Sequence, residues 1–479
     1  MLTYTLSDIK DNLYEHLYKC IRDDIVSGTL PAHYKLPSKR SFAKNLSVST
    51  ITVENAYNQL ISEGFIYSLP RKGFYVSEIF EEGSRLYHNT ASHSDTTGKK
   101  KPVKKAKEAA SRPVYIADFS SNNTNPESFP FTTWAKLTRR ILSDSRDKLM
   151  TNSPSGGTAE LRSAIADYLR DFRGINTSPD NIIIGAGTEY LYTLLLQLLG
   201  PNRIYAIEKP GYKKLSMILN TVELSSVEIP VDRGGMSIEA LSASDANIVH
   251  VTPSHHFPTG ITMPVKRRYD LLNWASQTEN SSAANADTRY IIEDDYDSEF
   301  RLTGRPIPPL FSIDNSHVIY MNTFSKSLTS TIRISYMVLP DNLAAEYTKR
   351  LGFYSCTVST FEQLTLAAFI GEGYFEKHIN RMRTNYRKKR DLLLDAIKKS
   401  PLDSVSEIKE EDAGLHFIID LKTELPDEEV TERLRRKGIN LLPLSFYGSD
   451  ATHSFLINYS SLQTDNIENI IRIFSQELT

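Results

Sequence analysis

Six residues with reactive or polar side chains follow four short apolar runs. Tyr212 follows Ile204–Ile207, His255 and His256 follow Ile248–Thr252, Asp294 and Tyr296 follow Tyr290–Glu293, and Lys326 follows Val318–Asn322. If the runs are neighbouring strands, these groups share one place, because ligands of open α/β sheets sit at the carboxyl ends of the strands. Taken singly, each has a plain structural reading: a solvated lysine, a capping aspartate, a tyrosine packing its ring after Pro210-Gly211. Another run, Ile182-Ile183-Ile184, leads through Gly185-Ala186-Gly187-Thr188 into a helix reaching Leu199. Glycines at a strand-to-helix turn free backbone N–H groups for a phosphate, and the helix dipole favours an anion there. Alone, that segment reads more simply as a tight turn.

Together the groups match what pyridoxal phosphate (PLP) requires. Lys326 supplies an amine for a Schiff base with the aldehyde. Asp294 supplies a carboxylate that keeps the pyridine nitrogen protonated. Tyr296 offers a phenol to the ring hydroxyl, and Tyr212 a ring to stack on the pyridine. Gly187, Thr188, Thr323 and Ser325 offer phosphate donors, with Arg333 as a nearby cation.

The elements that must position these groups run from residue 113 to 479. Their alternating strands and helices predict a doubly wound α/β domain. Residues 1–78 are patterned differently. Leu13, Leu17, Ile21 and Ile25 mark one face of a helix stopped by Gly28. Ser38 caps a short helix whose Phe42, Ala43 and Leu46 face inward. Ser49 caps a third, with Val53, Ala56, Tyr57, Leu60 and Ile61 on its buried stripe. Gly64 ends it, and Phe65–Leu69 and Phe74–Val76 flank Pro70-Arg71-Lys72-Gly73 as a hairpin. Three helices and a hairpin make a winged helix-turn-helix. Its third helix leaves Thr50, Thr52, Glu54, Asn55 and Asn58 on the outer side, where Asn reads adenine edges in the major groove of double-stranded DNA. Between Lys35 and Gly73 six basic residues face two acids. They cluster before the turn and at the hairpin tip, where phosphates would lie.

Residues 79–112 lose apolar periodicity and carry six lysines between Lys99 and Lys107. Such a run repels itself and reads as a flexible, extended tether. The whole chain of 479 residues, 40% hydrophobic and 24% charged, suffices for two or more domains with a sizeable core. Two cysteines, Cys20 and Cys356, exclude a disulfide scaffold, lack metal-ligand spacing and fit a reducing cytosol. The N-terminus turns polar within a few residues, and Tyr190–Leu199 falls short of the ~20 apolar residues a membrane span needs. The expectation is a cytoplasmic protein with no membrane partner and no metal.

Two resemblances sharpen this. LPSKRSFAKNLSVSTITVENAYNQLISEGFIYSLPRKGFYV resembles the GntR family of DNA-binding domains. The match implies that Ser38, Arg40, Ser49, Thr52 and Gly73 contact DNA, joined by Thr50, Asn55, Arg71 and Lys72 from their positions. Thr50 and Glu54 stand where family members carry Arg, so base preference does not carry over. From about residue 115 onward, SGGTAELRSAIADYL, GAGTEY, EKPGY, FPTG, IIEDDYDSEF and TFSKSLTSTIRISYMVLP resemble fold-type I PLP-dependent aminotransferases. In that match Lys326 is the cofactor lysine, Arg333 the phosphate arginine and Asp294 the pyridinium partner, with Asp295 as an adjacent fallback. Phe257 replaces the Asn that often precedes Pro-Thr-Gly.

The combination is similar to the MocR regulators of the GabR and PdxR type. It implies a transcription factor that senses through PLP, without an assigned catalytic residue, in a head-to-tail homodimer whose two heads read two half-sites. In GabR-like proteins, a basic residue just after the PGY tyrosine and an Arg near the C-terminus hold an effector's carboxylate. Lys214 takes the first place and Ser461, within Asn458-Tyr459-Ser460-Ser461-Leu462, the second. Ser cannot make a bidentate carboxylate clamp. The resemblance therefore implies PLP itself as the signal, as in PdxR-type regulators of vitamin B6 synthesis. A GabR-like response to an amino acid bound with PLP, or an aminotransferase with an incidental head, are the alternatives.

Overall fold

Leu17, Ile21 and Ile25 bury one stripe of helix α1 (Leu13–Val26) against α2 (Lys39–Leu46) and α3 (Thr50–Ser62). The computed structural model describes residues 4, 13–78, 115–120, 128–277, 288–302, 307–411 and 414–478. The Lys-rich segment expected as a tether lies outside them. The chain forms two compact units, Met1–Ala109 and Ala110–Thr479.

In the first unit the two capping serines act locally. Ser38 Oγ accepts from Ser41 N at 3.2 Å and Ser49 Oγ from Thr52 N at 3.0 Å. Each satisfies a helix-end donor, worth about 1 kcal/mol. Phe42, Val53, Ala56, Tyr57 and Leu60 are fully buried. Tyr57 also ties α3 to the chain before α2 by donating its hydroxyl to Pro37 O at 3.0 Å. Ile61, expected on the buried stripe, is exposed instead. It lies about 100° round the helix from Leu60, at the end of α3, where the core no longer covers it. Strands β1 (Ile66–Leu69) and β2 (Gly73–Val76) pair antiparallel, and the hairpin between them carries Arg71 and Gly73 at positive φ.

The second unit is built on an eight-stranded sheet: β3 (Ile182–Gly185), β4 (Ile204–Lys209), β5 (Ser225–Asp232), β6 (Gly235–Met236), β7 (Ile248–Val251), β8 (Tyr290–Asp294), β9 (Val318–Thr323) and β10 (Ser335–Val338). Their order is β3-β10-β9-β8-β7-β4-β5-β6. The strands from β9 to β5 run parallel, while β10 is antiparallel to both its neighbours. Alternate residues feed two cores. Ile182, Ile184, Val249, Ile291 and Val318 join one, and Ile183, Ile248, Ile292, Ile319 and Met321 the other. Burial on both faces explains why these strands read as continuous apolar runs.

A four-stranded antiparallel sheet follows: β11 (Ser406–Lys409), β12 (His416–Leu421), β13 (Leu442–Pro443) and β14 (Ser454–Asn458), in the order β11-β12-β14-β13. His416 pairs opposite Asn458. Among the described residues no helix is long and apolar enough to cross a membrane.

Candidate functional site

Strands β8 and β9 are in register with Asp294 beside Met321. Asp294 therefore ends one strand next to the turn Phe324–Ser327 that carries Lys326. A cavity of about 180 Å³ opens there. Of the nine residues expected to hold a cofactor, eight line it: Thr188, Tyr212, Asp294, Tyr296, Thr323, Ser325, Lys326 and Arg333. The ninth, Gly187, lies under Arg333, and a Cβ there would collide with the guanidinium. A larger groove of about 660 Å³ runs between helices Tyr374–Lys398 and Ile467–Leu478. Its lysine, Lys399, is exposed and paired with Asp395 at 2.6 Å, and no aromatic ring among the described residues lines it, so the smaller cavity is the candidate site.

Asp294 Oδ2 accepts from Tyr192 OH at 3.2 Å, while its Oδ1 is buried without a partner among the described residues. One oxygen is thus left for a further donor such as a pyridinium. The fallback, Asp295, is committed elsewhere. It pairs with Arg173 and accepts from Ser298 and Tyr320, each at 2.7 Å. Burial pushes the Lys326 ammonium down to about 8, against the pull of Asp297 and Asp294. An amine so shifted is a ready nucleophile.

Tyr296 OH lies 3.3 Å from His255 Nδ1, which sits 2.8 Å from Asp297 Oδ2. The His416 ring packs 4.2 Å from that of His255. Ligating atoms of His255, Asp297 and His416 fall within 4.8 Å of one another, a grouping that cysteine spacing could not reveal. His255 does not line the cavity, and neither does His256. The His256 ring is 3.4 Å from Glu208, whose carboxylate also accepts from Thr252 Oγ1 at 3.1 Å. Burial lifts Glu208 to about 8 and drops His256 to about 3, so the pair is neutral near pH 7.

At the phosphate end, Thr323 Oγ1 donates to Ser325 Oγ at 2.9 Å. Arg333 Nη2 lies 2.6 Å from Glu189 Oε2, in the first turn of α4 (Thr188–Leu199). Lys214, expected to meet an effector's carboxylate, bonds Glu189 Oε1 at 3.0 Å and does not line the cavity. The Ser461 expectation is also corrected. Ser461 donates to Asp118 O, and the lining residue of β14 is Asn458. Sequence reasoning passed over Glu189, Asp297, His416 and Asn458. Glu189 and Asp297 lie inside motifs already quoted; His416 carried no local signal.

In the other unit, Ser38 and Ser49 are caps at the starts of α2 and α3. Arg40, Thr50, Asn55, Arg71 and Lys72 are exposed, whereas Thr52 and Gly73 are half-buried. Thr52 Oγ1 shares a 2.8 Å hydrogen bond with Ser49 Oγ. Glu54, the acid on the outer side of α3, is matched by Lys39 at 2.7 Å.

These two units are a GntR-type winged helix-turn-helix and a fold-type I aminotransferase α/β domain. Residues 13–76 match the gntR family of bacterial regulatory proteins, and residues 116–474 match aminotransferase class I and II. The chain belongs to the MocR-type GntR transcriptional regulators, which carry an aminotransferase domain. It is 37% identical to the uncharacterized HTH-type transcriptional regulator YdeL of Bacillus subtilis, over 96% of this chain and 95% of that protein. Identity is 30% to the probable rhizopine catabolism regulatory protein MocR of Rhizobium meliloti, over 94% and 90%. It is 29% to the pyridoxine biosynthesis transcriptional regulator PdxR of Corynebacterium glutamicum, over 96% and 94%. A crystal structure of the Pyrococcus horikoshii kynurenine aminotransferase superposes with a TM-score of 0.65 at 26% identity, over 76% of this chain and 91% of that one.

Proposed function

We propose that this regulator captures PLP at Lys326, that PLP itself is its signal, and that it controls genes of vitamin B6 synthesis through operator DNA. Asp294 would hold the pyridine nitrogen, Tyr296 the ring hydroxyl and Tyr212 the ring face. Gly187, Thr188, Thr323, Ser325 and Arg333 would hold the phosphate. When bound, the cofactor supplies an aldehyde that condenses reversibly with amines. The chain's own residues bind it, orient it and keep the Lys326 amine largely neutral above pH 8.

The observation that carries the choice of signal is the cavity wall. Lys326 and Arg333 are its only lysine and arginine among the described residues, and Lys214 is tied to Glu189 outside it. Once PLP takes both, no cation remains for an amino acid's carboxylate. The likeness to PdxR supports the B6 assignment. For DNA we assign Arg40, Arg71, Lys72, Ser38, Ser49 and Gly73 to the backbone and Thr50, Thr52 and Asn55 to base edges. A homodimer would bring two heads to two half-sites.

The test is an absorbance titration of the full chain with PLP. A visible band that survives dialysis in wild type, that hydride reduction converts into a near-ultraviolet band fixed to the protein, and that is lost in Lys326→Ala supports the assignment. An unchanged band in that variant removes it. One observation favours an enzymatic reading: Lys326, Asp294 and Arg333 all converge on the cavity. Rapid conversion of bound PLP to pyridoxamine phosphate by a common amino acid would establish that alternative.

A further inference from the structure

We infer that Glu189 is a built-in competitor for the cofactor's phosphate and sets how tightly PLP is held; this rests on the cofactor reading above. Arg333, the cation at the phosphate end, already has an anion. Glu189 Oε2 takes its Nη2 at 2.6 Å, and Glu189 Oε1 takes Lys214 Nζ at 3.0 Å. A single carboxylate thus neutralises both flanking cations and lines the cavity itself. Its place in the first turn of α4 also sets it in the positive field that would otherwise favour phosphate. Although partial burial opposes ionisation, Arg333 and Lys214 hold the carboxyl at about 2, so the charge persists at any physiological pH.

The consequence is electrostatic. An arriving phosphate must share or take over Arg333 beside a fixed negative charge, and like charges in a partly exposed site repel. The Glu189 and Arg333 side chains are 33% and 51% exposed, so solvent screens the repulsion without abolishing it. Weakened retention suits a sensor, which must release its ligand as the concentration falls. The penalty falls on the phosphate alone. Pyridoxal, which has the aldehyde, ring nitrogen and ring hydroxyl but no phosphate, escapes it.

The experiment is a pair of absorbance titrations, with PLP and with pyridoxal, on the full chain as wild type, Glu189→Gln and Glu189→Asp. Glu189→Gln is expected to tighten PLP on the order of tenfold, the effect of removing one like charge near a phosphate, while leaving pyridoxal unchanged. Glu189→Asp, which keeps the charge, is expected to stay near wild type for both. The inference is overturned if Glu189→Gln leaves PLP affinity unchanged or weakens it, if it tightens both aldehydes equally, or if Glu189→Asp tightens PLP as much as Gln does. A wild-type chain that develops no visible band with either aldehyde overturns the cofactor reading, and this inference with it. Binding of PLP that Glu189→Gln does not alter overturns the inference alone.

Discussion

Arg173 Nη2 lies 2.5 Å from Asp295 Oδ2, with the two side chains 2% and 0% exposed. This pair decides which of two adjacent aspartates serves the cavity. Asp295 is locked and does not line the cavity, whereas Asp294 lines it. Removing one member of a buried ion pair leaves the other charge uncompensated, at a cost of about 3–5 kcal/mol. Arg173→Met should therefore lower unfolding stability by that order, read by urea denaturation. Asp294→Asn should leave the denaturation curve near wild type while weakening the PLP band. Equal destabilisation by both would contradict the division of labour.

Capture of an aldehyde needs the neutral amine. With Lys326 held at about 8 by burial, roughly a tenth of it is neutral at pH 7. The rate of appearance of the PLP band should rise about tenfold from pH 7 and level off above pH 9. Stopped-flow absorbance at constant ionic strength checks this. A rate that kept climbing past pH 9 and levelled only near pH 11 would place the lysine at its ordinary value.

Glu208 carries a stability signature. Its folded-state value of about 8 lies above the ordinary 4.5. Its contribution is therefore fully present below about pH 4.5 and is lost as pH rises through about 8. The melting temperature of the second unit should fall across that window. Glu208→Gln keeps the shape and the Thr252 contact but has no proton to lose, so it should flatten the fall. An unchanged pH profile in that variant would assign the dependence to another group.

On the DNA side, Arg71 and Lys72 are exposed at the hairpin tip. Replacing both with Ala should weaken binding alike for all sequences and reduce the log-log salt slope by roughly two. Asn55→Ala should instead relax preference at one base position with the slope unchanged. Fluorescence anisotropy at several salt concentrations separates the two effects. A wing variant that changed sequence preference alone would contradict the phosphate role.

Much of the fold was legible in the sequence. Parallel strands buried on both faces leave continuous apolar runs, so Asp294, Lys326 and Tyr212 could be placed at strand ends. Ser38 and Ser49 announced their helices because a cap bonds only a few residues onward. What was not legible depends on distance and register. Glu189 and Arg333 stand 144 residues apart, and nothing local marks them as partners. His416 reaches the cavity from a separate sheet. Ser461 lies beyond the end of β14 and bonds Asp118 O, while the cavity takes Asn458, whose place is fixed by the pairing of β14 with β12. Ile61 fits the helical period but lies where the core has run out.

The account stands on a link between Lys326 and the DNA-binding unit. A DNA fragment enriched by the full chain from a random pool provides the probe, and its affinity is measured by anisotropy with and without saturating PLP. PLP should shift the affinity of wild type and leave that of Lys326→Ala unchanged, since a ligand can move only an equilibrium whose states it binds differently. Equal affinities with and without PLP in wild type, or an undiminished shift in Lys326→Ala, would contradict it.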